Sequence, residues 1–234
     1  MLDARALFGH SAVGFASLRF SPGETLPESE RLPSSLARAV PKRRTEFLAG
    51  RRAARRAIES IAPEWSEHEI GRGERGEPLW PPGVVGAITH THGFAAAACA
   101  RRRSIRSIGL DSEMRIVPTA VREVAASICR SPELAHLELD PNRAERLTLV
   151  FSIKESLFKC LFPFVRRYFD FQDAEVCELD RGSGRFSVRL VTSLTEEFQA
   201  GWTAAAADCW TTNWSTRPWC CQPVLTATRY FQGQ

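Results

Sequence analysis

Two carboxylates stand two residues apart near the middle of the chain, in the segment Gly109–Glu113. Side chains alternate along a strand, so Asp111 and Glu113 would share one face, and Gly109 would leave space on it. Neighbouring carboxylates repel each other unless a cation lies between them, and oxygen ligands suit Mg²⁺. The pattern is compatible with a divalent-metal site, but taken alone it favours a solvated acidic pair at a strand end, because two acids at this spacing are common.

A second candidate group lies in the segment Phe151–Lys159, with the sequence FSIKESLFK. Glu155 and Lys159 are four residues apart, which makes them neighbours on one face of a helix. Taken alone, this spacing favours an ordinary surface ion pair between them.

Basic side chains are concentrated near the start of the chain: eight lie between Arg38 and Arg56, against one acid, Glu46. Arginine binds phosphate oxygens through two donors at once, so this cluster suits a ligand with several phosphates. A solvated helix face is the alternative. His90, between two apolar stretches, is a further candidate for a phosphate contact. No GxxxxGK[ST] motif is present, and no GxGxxG follows a predicted strand, so side chains would have to hold the phosphates.

The hydrophobic pattern predicts the elements that must position these residues. The predicted helices span 42–61 and 142–161. The predicted strands span 84–89, 94–100, 105–114, 173–179, 185–191 and 224–229. The first two strands would form a hairpin, and the glycine- and proline-rich segment 71–83 predicts a structured loop.

Composition narrows the function classes further. A net charge of +4 over 234 residues is too small for binding of nucleic acid across the whole surface. Seven cysteines without CxxC spacing argue against zinc and favour reduced thiols. The N-terminus lacks the apolar core of a signal peptide, and the longest apolar run, 94–100, is far shorter than a membrane helix. We therefore predict a cytoplasmic protein.

Together, the motifs resemble those of the Sfp/EntD-type 4′-phosphopantetheinyl transferases in order and spacing, over roughly residues 41–228. The matching segments are 43–55 (RRTEFLAGRRAAR), 76–81 (GEPLWP), 87–90 (AITH), 109–113 (GLDSE), 151–159 (FSIKESLFK) and 224–227 (VLTA). The resemblance implies an α+β fold with two similar α/β subdomains related by a pseudo-twofold, here 1–108 and 109–234. Since both pseudo-twofold-related subdomains are contained in one chain, we expect the protein to be a monomer.

The resemblance also implies an activity and a set of roles. Proteins of this family transfer 4′-phosphopantetheine from coenzyme A to a serine of an apo acyl or peptidyl carrier protein and release 3′,5′-ADP. The implied ligands of Mg²⁺, or of Mn²⁺, are Asp111, Glu113 and Glu155. Glu155 would also act as general base, and Lys159 would stabilise the leaving group. The implied contacts to coenzyme A are Arg43, Arg51, Arg75, His90, Lys154 and Lys159.

Part of the chain departs from the family pattern. The segment 209–221, rich in tryptophan and cysteine, does not follow it, which leaves the last strands in question. The acidic carrier would meet a basic protein surface, and the segment 116–134 is the predicted docking region. The sequence does not show whether the carrier serves fatty-acid, polyketide, nonribosomal-peptide or siderophore assembly.

Two other functions are compatible with parts of the pattern. A Mg²⁺-dependent nuclease could use Asp111, Glu113 and Glu155 with Lys154, but such sites place the lysine two residues after the acid on a strand. Here Lys154 precedes Glu155 on a predicted helix. A non-enzymatic protein could use the basic helix to bind nucleic acid or a partner, with the acids in structural roles.

Overall fold

The computed structural model describes residues 12–21, 24, 32–206, 219–221 and 224–227. The chain divides into two compact units, Met1–Ile108 and Gly109–Gln234. Helices and strands are mixed in both. Among the helices in the described ranges, none is both long enough and apolar enough to cross a membrane.

The first unit contains one long helix and an antiparallel sheet. Its elements are β1 (Val13–Arg19), α1 (Pro41–Ile61), β2 (Gly71–Arg72), β3 (Pro78–Leu79), β4 (Val84–Thr91) and β5 (Phe94–Arg101), with short 3₁₀ turns at Ser34–Leu36 and Pro63–Trp65. The three long strands are ordered β1-β5-β4, and β2 pairs with β3. The predicted helix at 42–61 and the predicted hairpin are confirmed, with each hairpin strand slightly longer than expected.

Small side chains explain why α1 lies close to the sheet. Ala53, Ala54 and Ala57 on the helix are fully buried, as are the alanines at 95–98 on β5. Pro41 starts the helix, where its missing N–H group costs no hydrogen bond. The close packing fixes the first turn of α1, which carries Arg43, relative to the end of β4, which carries His90.

The second unit is arranged around its longest helix. Its elements are β6 (Ser107–Leu110, which begins just before the boundary), β7 (Glu113–Met114), α2 (Val121–Ile128), α3 (Ser131–Leu139), α4 (Arg143–Val165), β8 (Ala174–Asp180), β9 (Arg185–Leu190), β10 (Thr203–Ala206), β11 (Trp219–Cys221) and β12 (Val224–Ala227), with 3₁₀ turns at Pro118–Ala120 and Phe171–Asp173. An antiparallel sheet has the order β10-β9-β8. Leu147, Leu149, Ile153 and Leu161 of α4 are fully buried, so this helix forms the centre of the unit's core.

The predicted strand at 105–114 is wrong in one respect, because it is interrupted. β6 ends at Leu110 and β7 begins at Glu113. Between them Asp111 is buried and accepts hydrogen bonds from donors on α4. The two strands also have different partners, since β6 pairs with β12 and β7 with β11. Of the segment 209–221, only Trp219–Cys221 lies within the described residues; it pairs with β7 in antiparallel register.

Candidate functional site

The acidic segment after β6 meets one face of α4. Asp111 is 2% exposed. Its carboxylate accepts hydrogen bonds from the Ser152 hydroxyl and the Lys159 ammonium, both at 2.6 Å. Ser152, Glu155 and Lys159 are spaced i, i+3, i+7 along the helix and therefore share a face. Sequence reasoning missed Ser152, although this spacing could have identified it.

Gly109 makes this close approach possible. A Cβ atom at this position would lie 1.9 Å from the carbonyl oxygen of Ser156 and 2.9 Å from the Cβ of Cys160. The carbonyl belongs to the backbone of α4 and cannot rotate away as a long side chain would. Glycine therefore allows β6 to lie directly against the helix, which brings Asp111 to the face that carries Glu155.

The carboxylates influence each other's ionisation. Burial, followed by repulsion from Asp111, raises the pKa of Glu113 to about 8; Lys159 opposes this shift and Glu155 adds to it. Burial also raises the pKa of Glu155, opposed by Lys159 and reinforced by Asp111. The three predicted ligands therefore lie in one partly buried region together with the Lys159 ammonium.

This group fits a divalent cation by its chemistry. It offers carboxylate oxygens, and a cation would offset the burial and the carboxylate repulsion that together raise the pKa values of Glu113 and Glu155. The ligand geometry is not preformed: within the described parts of the chain, no three His, Cys, Asp or Glu side chains are already arranged as a metal site. Asp111 instead directs its two oxygens to Ser152 and Lys159.

Lys154 does not lie where the sequence prediction required. We expected it to contact a phosphate, but its side chain is 1% exposed. The ammonium donates to the carbonyl of Ile128, the carboxylate of Glu133 and the carbonyl of Phe171. Consecutive helix residues differ by about 100° in direction, so Lys154 points into the unit while Glu155 faces the acidic group.

An aromatic pocket adjoins Glu155. Its volume is about 240 Å³, and its lining residues are Lys154, Glu155, Phe158, Tyr168, Phe169, Asp170, Phe171 and Ala174. The rings of Phe158 and Tyr168 stack with their centroids 5.5 Å apart. This pocket was not predicted from the sequence, although the three aromatic residues within 168–171 were a signal for it.

In the first unit the structure brings two predicted phosphate contacts together. The Arg43 guanidinium donates to the Nε2 atom of His90 at 3.0 Å. Arginine cannot accept this bond, so Nε2 is the acceptor and the ring proton is on Nδ1. The Nδ1 atom lies 3.9 Å from the Glu46 carboxylate, which is also 3.8 Å from Arg43. The Glu46 carboxylate therefore lies beside both members of the pair.

Arg51 and Arg75 have different surroundings. Arg51 stacks on the Phe47 ring at 4.3 Å and donates to the carbonyl of Gly71. Burial, with repulsion from Arg72 and Arg43, lowers the pKa of Arg51 to about 10. Arg51 lines a cavity of about 350 Å³ in this unit. Arg75 lies exposed between β2 and β3, where its backbone N–H donates to Glu77.

Two family models match consecutive parts of the chain. The model described as "4′-phosphopantetheinyl transferase N-terminal domain" matches residues 17–100. The model described as "4′-phosphopantetheinyl transferase superfamily" matches residues 107–218. The second match contains the acidic segment and the α4 face described above.

Individual relatives carry related names. The chain is 34% identical over 171 residues to 4′-phosphopantetheinyl transferase Npt of Nocardia iowensis, an alignment that covers 70% of this chain and 74% of the relative. It is 32% identical over 183 residues to 4′-phosphopantetheinyl transferase PptT of Mycobacterium tuberculosis, covering 76% and 78%. A third relative, enterobactin synthase component D of Salmonella typhimurium, is 38% identical over 136 residues, covering 57% and 53%.

Proposed function

Because the chain belongs to the 4′-phosphopantetheinyl transferase superfamily and is an enzyme that transfers this group, we propose that coenzyme A is the donor and a carrier-protein serine the acceptor. The second product is then 3′,5′-ADP. The observation that supports this best is the convergence of Asp111, Glu113, Glu155 and Lys159 in one partly buried region.

Glu155 is the proposed general base. The serine hydroxyl gives its proton to the Glu155 carboxylate, directly or through a water, and its oxygen bonds to the β-phosphorus of coenzyme A. The bond from that phosphorus to the bridging oxygen breaks, and its electron pair leaves with 3′,5′-ADP. The position of Glu155 supports this role, because it lies close enough to Asp111 and Lys159 to feel both charges.

We propose that two positive charges neutralise the negative charge of the diphosphate: a divalent metal ion and the Lys159 ammonium. Asp111, Glu113 and Glu155 would hold Mg²⁺ (or Mn²⁺), which when bound neutralises phosphate oxygens. Lys159, whose side chain is 26% exposed beside Asp111, would place its ammonium where the leaving group gains negative charge. Lys154 has no part in phosphate binding in this proposal, since its three donors serve groups inside the unit.

The pantetheine arm has a proposed place in the aromatic pocket. The pocket is largely apolar in its lining and includes Glu155, so an arm lying there would extend away from the reacting phosphorus without leaving the site. Arg43 and His90 are the proposed contacts of a terminal phosphate, with Arg51 and Arg75 as further phosphate partners.

Docking of the carrier is proposed at the segment 116–134. Val117 is 59% exposed, and the basic residues Arg115 and Arg122 are also exposed nearby. An acidic carrier would be attracted to such a surface. The pseudo-twofold relation, the monomeric state and the cytoplasmic location remain predictions of this proposal.

Transfer can be measured directly by mass spectrometry. The protein is incubated with coenzyme A, Mg²⁺ and a panel of apo carrier proteins from siderophore, polyketide, nonribosomal-peptide and fatty-acid assembly. At least one carrier should gain the mass of one phosphopantetheine arm, and EDTA should prevent the gain. No gain on any carrier, or cleavage of added DNA or RNA in place of transfer, would contradict the proposal.

Replacing His90 with alanine should lower kcat/KM for coenzyme A by about 10- to 100-fold, because a charge-assisted hydrogen bond contributes about 1.5–3 kcal/mol. The measurement is repeated with dephospho-coenzyme A, which lacks the 3′-phosphate. On that donor the variant and the parent enzyme should be equal. His92, exposed in the same hairpin, gives the matched control His92→Ala, which should change neither value. An equal loss on both donors would show that His90 does not contact the 3′-phosphate.

A further inference from the structure

The buried Lys154 ammonium joins three separate segments of the second unit. It donates at 2.8 Å to the carbonyl of Ile128 at the end of α2, at 2.7 Å to Glu133 on α3, and at 2.9 Å to the carbonyl of Phe171. An ammonium can donate three hydrogen bonds, and here three acceptors from three segments accept them. Lys154 thus links α4 to each of these segments by a directional bond.

The Glu133 carboxylate also accepts three hydrogen bonds. Its side chain is 2% exposed. One carboxylate oxygen accepts from Lys154 and from the backbone N–H of Arg130 at 2.6 Å, and the other accepts from the backbone N–H of Val176 at 2.7 Å. The carboxylate therefore extends the connection to the start of β8.

A buried ion pair is an inefficient way to gain stability alone. Removing both charges from water offsets much of their attraction, and apolar residues of similar volume often stabilise as well or better. Apolar contacts, however, are not directional, whereas the hydrogen bonds of an ion pair are. The Lys154–Glu133 pair fixes particular backbone groups, the carbonyl of Phe171 and the N–H of Val176, at set distances from α4.

Those backbone groups flank the wall of the aromatic pocket. Tyr168, Phe169, Phe171 and Ala174 line the pocket on one side, while Glu155 and Phe158 line it from α4. The bond to Phe171 lies within this wall, and the bond to Val176 lies two residues beyond Ala174. The position of the wall relative to α4 is therefore held by the residue immediately before Glu155.

We propose that Lys154 is a positioning residue, which together with Glu133 holds the 168–174 wall of the aromatic pocket against α4 and so sets the affinity for the pantetheine arm. This inference rests on the proposed function, because it takes coenzyme A as the ligand and the aromatic pocket as the place of its arm. It assigns to Lys154 a contribution to coenzyme A binding that involves no phosphate contact.

Two ligands separate this role from a phosphate contact. Coenzyme A carries the arm and 3′,5′-ADP does not, and both are titrated calorimetrically into parent enzyme and variants. Lys154→Met should weaken coenzyme A binding by about 10- to 100-fold, which corresponds to about 1.4–2.8 kcal/mol of contacts to the arm lost when the wall is released from α4. Binding of 3′,5′-ADP should stay unchanged. Glu133→Gln, which is isosteric, should give a smaller loss of the same kind, and it decides the question if Lys154→Met does not fold.

Arg146→Met is the matched control, because it removes a partly buried cation from an ion pair with Asp140 in the same unit, outside the pocket lining. It should leave both affinities unchanged even if it lowers the melting temperature. Equal weakening of both ligands by Lys154→Met, or by Glu133→Gln, would overturn the inference, as would no change for coenzyme A. Failure of the parent enzyme to bind coenzyme A would instead contradict the proposed function.

Discussion

Replacing Glu155 with alanine is expected to reduce transfer of the arm by at least about a thousandfold, the combined loss of a general base and a metal ligand. The protein should remain folded. Burial and the Asp111 charge raise the pKa of Glu155, so its ionised form destabilises the folded state at pH values above its unfolded pKa. Removing it should therefore leave the melting temperature, measured without divalent metal, equal to or above that of the parent.

Glu138→Ala is the matched control for this experiment. Glu138 lies on α3 of the same unit, its side chain is 67% exposed, and its partner is Arg143 at the surface. It should retain full transfer activity, because surface ion pairs contribute little. If Glu155→Ala kept more than about a tenth of the parent rate, the assignment of Glu155 as base and metal ligand would be abandoned.

Gly109→Ala should produce the second large effect, with activity reduced by at least about a hundredfold and stability by roughly 1–3 kcal/mol or more. The added methyl group would lie 1.9 Å from the Ser156 carbonyl oxygen, so β6 and α4 must separate. Separation moves Asp111 away from Ser152, Glu155 and Lys159. Activity is measured by the mass gain of the carrier, and stability by urea denaturation.

Gly182→Ala tests whether any glycine replacement in this unit is harmful. At Gly182 the nearest neighbour of an added Cβ is a side-chain oxygen of Asp180 at 3.3 Å, which can adjust. This variant should behave as the parent in both measurements. Full activity in Gly109→Ala would show that the close approach of β6 to α4 is not needed for the site.

Local patterns were enough to predict the main elements and the acidic group. The helix predicted at 42–61 is Pro41–Ile61, since its buried side recurs with helical spacing. Asp111 and Glu155 could be paired from sequence through the family resemblance, and their mutual electrostatic influence supports that pairing.

Tertiary packing decided what the sequence could not show. Lys154 and Glu155 are adjacent, and only the positions of α2 and α3 determine that the lysine faces inward while the carboxylate faces the acidic segment. The surroundings of Asp111 depend in the same way on Ser152 and Lys159, which are 41 and 48 residues away in sequence. The aromatic pocket requires the chain after α4 to fold back over Phe158.

In the proposed site, the contact between Lys159 and Asp111 would also link the binding of two oppositely charged ligands. Ammonium and carboxylate neutralise each other at 2.6 Å, so each has its charge satisfied by the other. A diphosphate that draws the ammonium away leaves Asp111 open to a cation, and a cation on Asp111 leaves Lys159 open to the diphosphate. Binding of either ligand would therefore favour the other, and thermodynamic reciprocity would make this cooperativity equal in both directions.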